Sequence, residues 1–137
     1  IEKYPVKLKK GDIKKRFFNY LVVLDDDGKT HLIKRTGKDI WHNLYEFPLL
    51  ETPEEICVNE IKHRLPEILT LQEPQHVYQS SDKIIVHKLS HQHLYTKFWI
   101  VKTKDRLPNG LSSKELDKYP VPVLIEEFIK TLKNSYF

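Results

Sequence analysis

Residues 40–48 read IWHNLYEFP. Trp41, Leu44, Tyr45 and Phe47 are interleaved with polar residues in no regular period, and Pro48 closes the segment. Large apolar side chains in an irregular stretch have to be covered by their neighbours, so what flanks this segment decides the fold. Upstream, residues 16–35 read RFFNYLVVLDDDGKTHLIKR: an apolar run meets Asp27-Gly28 and then resumes, the pattern of two strands joined by a tight turn. The aspartates lack the alternate-ligand spacing and distal glutamate of a calcium loop, so they read as a polar turn. Downstream, Thr52 as N-cap, Pro53 at the first helical position and Glu55 completing a capping box predict a helix over 53–65. Ile56, Cys57, Ile61 and Leu65 share one side of it, and Pro66 stops it.

Further along, KIIVHKL and LYTKFWIVKT are rich in β-branched and aromatic residues and read as two strands joined by SHQH. In YPVPVLIEEFIKTLKNSYF two prolines preclude a regular helix before Val123, after which Leu124, Ile125, Phe128, Ile129 and Leu132 recur at helical spacing. This order predicts an α+β fold, a mixed sheet sandwiched by helices. At 137 residues and 39% hydrophobic the chain has the size of one domain with one core.

Several function classes are narrowed by composition. The longest apolar run, YLVVL, is far short of the roughly 20 residues of a membrane helix, and nothing resembles a secretory signal, so the expectation is a soluble, intracellular domain. A single cysteine, Cys57, excludes an internal disulfide or a multi-cysteine zinc or iron–sulfur site, and reads as a buried small hydrophobe. The chain contains no methionine and opens on Ile1, which leads us to expect a piece of a longer protein with a neighbour upstream. The net charge of +4 is uneven: residues 1–16 carry seven Lys/Arg against two acids, a surplus of five, which leaves minus one for the rest. Such a run is either a solvated linker or a phosphate-contacting arm.

Three histidines, His87, His91 and His93, fall within HKLSHQHLY. Zinc needs three or four convergent ligands at about 2 Å, commonly with cysteine or carboxylate help, and no acid lies between Asp82 and Asp105. Catalysis would need a nucleophile or carboxylate partner, and Ser90 beside His91 is no triad without one. Spacing alone leaves a metal site, a surface loop and a ligand-contacting loop open.

In four separated blocks the chain resembles the C-terminal domain of MutY-type adenine DNA glycosylases. IWHNLYEFP is similar to that family's LWxGLWEFP, with Tyr45 where a second tryptophan is usual, and HKLSHQHL resembles its HxFSHxHL. YPVKLKKGDIKKRFFNYLVV is similar to its basic entry into the first strand, and YPVPVLIEEFIKTL to its proline-marked last helix. The resemblance implies a Nudix (MutT-like) fold over 17–137, preceded by the basic end of an interdomain linker over 1–16. It also implies a module that recognises 8-oxoguanine opposite adenine in double-stranded DNA, as part of base excision repair. Adenine excision would belong to a separate N-terminal catalytic domain holding an iron–sulfur cluster, its partner within one monomeric, nucleoid-associated cytoplasmic protein. This segment itself would carry no catalytic residue, metal or cofactor.

On that reading the DNA-binding and 8-oxoguanine-binding residues are Leu89, Ser90 and His91, together with Lys9, Lys10, Lys14 and Lys15. Leu89 replaces the family's phenylalanine, while His87 and His93 support the loop. The rival readings are an active Nudix pyrophosphohydrolase and a protein-docking module. Hydrolysis needs a helix bearing R-E-x-x-E-E behind a glycine loop. EEICVNEIKHRL keeps Glu60, but His63 and Arg64 stand where two acids are wanted. Docking would use exposed Trp41, Tyr45 or Trp99, positions that read as core.

Overall fold

The computed structural model describes residues 13–70, 76–81 and 83–136. Its backbone is set by two long strands, β1 (Lys14–Leu24) and β7 (Gln92–Lys102), paired in parallel along their whole length from Lys14↔Gln92 to Leu24↔Lys102. Strand β4 (Leu49–Thr52) lies antiparallel on the far edge of β1. Both β5 (His76–Gln79) and β6 (Ile85–Lys88) lie antiparallel on the free edge of β7, β5 against residues 99–102 and β6 against residues 93–96. A two-residue pair, β2 (Ile33–Lys34) with β3 (Tyr45–Glu46), stands apart from this mixed sheet.

Helices cover both faces, which is why the two central strands read as nearly continuous apolar runs. One face carries Phe18, Tyr20, Val22, Leu94, Phe98 and Ile100 against α3 (Val123–Tyr136), where Phe128 stacks on Phe98 at 3.9 Å between ring centroids. The other carries Leu21, Val23, Trp99 and Val101 against Ile61 and Leu65 of α1 (Val58–Ile68). A short helix, α2 (Ser113–Leu116), begins with a complete capping box between Ser112 and Glu115. Among the described residues no helix is long and apolar enough to cross a membrane.

Two local expectations fail for reasons of pairing. The turn at Asp27-Gly28 forms, with Asp25 Oδ1 accepting from the amides of Asp27 and Lys29, both at 2.9 Å. Its second arm does not fold back on β1, because β4 and β7 already occupy both edges of that strand. Thr30 instead bridges Leu111, and β2 joins β3. The helix expected from residue 53 starts at Val58, since Thr52 is the last residue of β4, in register with Phe17. The Thr52 hydroxyl donates to the Glu54 carbonyl at 2.6 Å and accepts from Asn19 at 3.2 Å, so it caps nothing. Pro66 lies inside the last turn of α1 rather than beyond it. Cys57 is exposed at the head of that helix, contrary to the buried role expected. Trp99 is buried, whereas Trp41 and Tyr45 are half-buried.

Candidate functional site

The hairpin between β6 and β7 closes with a bend in which the Leu89 amide donates to the Gln92 carbonyl at 2.7 Å. Ser90 and His91 form its exposed tip, and half-buried Leu89 packs against the core on the α3 side. The His91 carbonyl accepts from the Lys14 amide at 3.1 Å, which ties the tip to the first residue of β1. Register then places Lys14 beside Gln92 and Lys15 beside His93. The Lys15 ammonium stands 5.9 Å from the ring centroid of Tyr95, which stacks on Phe17 at 5.2 Å. Leu89, Ser90, His91, Lys14 and Lys15 therefore meet at one end of the central strand pair. Lys9 and Lys10 lie outside the described residues.

The histidines separate by strand alternation. His87, in register with Leu94, faces the α3 side, its ring 6.1 Å from that of Trp41. His93 is one position on from Gln92 and takes the opposite face, while His91 stays exposed at the tip. Among the described residues no group of three or more His, Cys, Asp or Glu is placed to hold a metal ion.

Behind the tip lies an ionic network with little trace in the sequence. Arg16 is buried and donates through Nε and Nη2 to Glu51 at 2.8 Å each, and through Nη1 and Nη2 to Asp39 at 2.9 and 2.8 Å. Its Nη1 also donates to Gln92 Oε1 at 2.9 Å. Arg35 pairs with Asp39 at 2.9 Å and grips both oxygens of Glu46, which accepts in turn from the Tyr20 hydroxyl at 2.8 Å. Hydrogen bonds donated to Glu51 and Asp39 hold the Arg16 guanidinium firmly charged, and the bond from Arg16 pulls the Asp39 carboxyl down to about 2. Burial pushes the Glu46 carboxyl up, against the hydrogen bonds from Tyr20 and Arg35. In the sequence Arg16 is merely the last cation of a basic run, since its partners lie 23, 35 and 76 positions away.

In the turn at residues 37–43, which joins β2 to β3 and carries Asp39, Trp41 and Asn43 have positive φ, 59° and 69°. Asn43 stands at the glycine of LWxGLWEFP, and asparagine is among the non-glycine residues that best tolerate the left-handed region.

Magnesium-dependent hydrolysis would need carboxylates converging from α1. Glu60 and His63 are exposed there, and Arg64 pairs with Glu67 at 3.3 Å. On β4, both oxygens of Glu51 are engaged by Arg16. The residue types at this position do not fit a pyrophosphate-bound magnesium ion.

Comparison with known proteins places this architecture. A family model described as NUDIX domain matches residues 19–131. The chain belongs to the NUDIX domain family. The solution structure of the E. coli ORF135 protein is similar to this NUDIX domain at TM-score 0.58 and 18% identity, over 91% of this chain and 95% of that one. A MutT structure, from work on the fish pathogen Aliivibrio salmonicida and Vibrio cholerae, is similar at TM-score 0.51 and 15% identity, over 87% and 97%. At these identities the likeness concerns the fold. No curated protein matches the chain.

Proposed function

We propose that this NUDIX domain reads 8-oxoguanine paired with adenine in duplex DNA, as the lesion-recognition module of a MutY-type adenine DNA glycosylase, and does not itself hydrolyse nucleotides. Oxidation adds a carbonyl at C8 of guanine and a proton at N7, so an acceptor on the major-groove edge becomes a donor. A reader needs an acceptor there and a donor for O8, and a serine hydroxyl can supply both. Ser90 presents such a hydroxyl on an exposed tip, with His91 beside it for the base or a phosphate. Phosphate attraction would come from the basic segment that enters β1.

The observation that carries the reading is the Lys14 to His91 hydrogen bond, which joins the tip to that segment. The bond sets Lys14 beside His91, which supports a reading in which base-contacting and phosphate-contacting groups are neighbours. The hydrolase reading is disfavoured by His63 and Arg64 on α1 and by the engagement of Glu51.

The test assays the 137-residue chain for magnesium-dependent release of pyrophosphate from 8-oxo-dGTP, and for binding to duplexes carrying 8-oxoguanine or guanine opposite adenine. Tighter binding to the oxidised duplex without turnover is the expected pair of results. Turnover at ordinary enzymatic rates, with equal binding to both duplexes, would replace this reading with the hydrolase.

A further inference from the structure

Arg16 has five N–H donors, and all five are used: two on Glu51 of β4, two on Asp39 of the Trp41 turn, and one on Gln92. Gln92 directly follows His91 and is the residue whose carbonyl closes the bend. A single buried guanidinium thus touches the bend, the neighbouring turn and the edge strand. We propose that Arg16 is a positioning residue for base discrimination: by holding Gln92 it fixes the angle at which Ser90 and His91 leave the sheet, and it locks that angle to the Trp41 turn. This rests on the lesion-reading function proposed above and adds to it the group that sets the geometry of the reader.

Fine positioning is what the proposed contact demands. An O–H···O bond spans roughly 2.5–3.0 Å, and a recognition group has to be held within about 0.5 Å of its productive place. The backbone ladder fixes β7 from Gln92 onward, whereas Ser90 and His91 lie beyond it and are exposed. Two links reach the bend from β1: the Lys14 amide to the His91 carbonyl, and the Arg16 side chain to Gln92. Stability alone gives little reason for the arrangement, because a buried ion cluster is often replaceable by apolar residues without loss. The guanidinium fork instead supplies fixed directions, which a lysine ammonium cannot reproduce.

Two variants separate positioning from simple support. Gln92→Leu cuts the link to the bend and leaves Arg16 with both carboxylates, while Arg16→Lys keeps the charge and loses the fork. Each is compared with the parent chain and with Ser90→Ala by fluorescence anisotropy, on duplexes with 8-oxoguanine or guanine opposite adenine. The readouts are the affinity ratio at one salt concentration and the slope of log affinity on log salt, with folding checked by thermal unfolding. The ratio is expected to fall by roughly 5-fold or more in both variants, the scale of a single base contact, with the slope unchanged. An unchanged ratio in folded Gln92→Leu and Arg16→Lys, alongside a reduced ratio in Ser90→Ala, overturns the positioning role and leaves the lesion reading standing. Absence of any preference in the parent chain defeats the lesion reading and the positioning role with it. Should Arg16→Lys not fold, Gln92→Leu decides alone.

Discussion

Among single residues, Ser90 carries the proposed reading: guanine and its oxidised form differ by a proton at N7 and an oxygen at C8, and we propose that its hydroxyl meets both. On that reading its replacement by alanine would remove contacts made only with the oxidised base, so discrimination should fall more than affinity. A good base contact is worth about 1–3 kcal/mol, and the preference for 8-oxoguanine over guanine should drop by roughly 5- to 150-fold in duplex binding at fixed salt. Backbone groups of Leu89 and Ser90 survive the change, which favours the lower end. An unchanged preference in a folded Ser90→Ala chain would remove the hydroxyl from the readout. The short connection that carries Ser90 and His91 was legible in the sequence because the bend is local, closed by a bond between Leu89 and Gln92. Arg16 was not, because its meaning lies in partners that only the tertiary fold brings near.

At the scale of elements, two turns flank the same end of the sheet. Asn43, at φ 69°, should resist replacement by alanine at a cost of about 1–2 kcal/mol, the penalty of the left-handed region for a residue with Cβ and no compensating polar group. Chemical denaturation of Asn43→Ala beside Asn43→Gly checks this, with glycine expected to escape most of the penalty; equal losses would place the cost elsewhere. The start of β1 should act through charge instead. Replacing Lys14 and Lys15 by alanine together is expected to flatten the salt slope of duplex binding by about 0.9 for each phosphate no longer neutralised, equally for damaged and undamaged DNA. An unchanged slope would make these lysines solvated surface only. Element identity was well marked where periodicity was strong, as in β7 and α3. It misled where a local signal met an occupied neighbour: the Asp-Gly turn formed without its hairpin because β1 was already paired on both edges. Thr52 likewise does not cap because β4 claims it.

For the whole molecule, the parallel pairing of β1 with β7 could not be read from the sequence, since about half of the chain lies between the two strands and parallel register leaves no turn signal. That pairing places the apolar core on one stretch of the strands and the candidate site at their other end. Phe98 sits in the core between Tyr20 and Phe128, and Phe98→Ala should cost about 3–5 kcal/mol in denaturant unfolding. Acid should act through the site end. The Asp39 carboxyl is depressed to about 2 in the folded chain, below its unfolded value near 3.9, so it stabilises the fold above about pH 4 and that contribution is lost as pH falls toward 2. Asp39→Asn should therefore be less stable at neutral pH and flatter between about pH 4 and 2, as urea midpoints across that range would register; a parallel pH profile would deny the coupling.

The proposed reading of oxidised guanine by this NUDIX domain stands or falls on the affinity ratio of the chain for 8-oxoguanine:adenine over guanine:adenine duplexes at one salt concentration. The expected ratio is well above one, reduced in Ser90→Ala and reduced further when His91→Ala is added. A ratio of one in the parent, or a ratio that the folded double variant leaves intact, would contradict the reading and make HKLSHQHLY a structural turn.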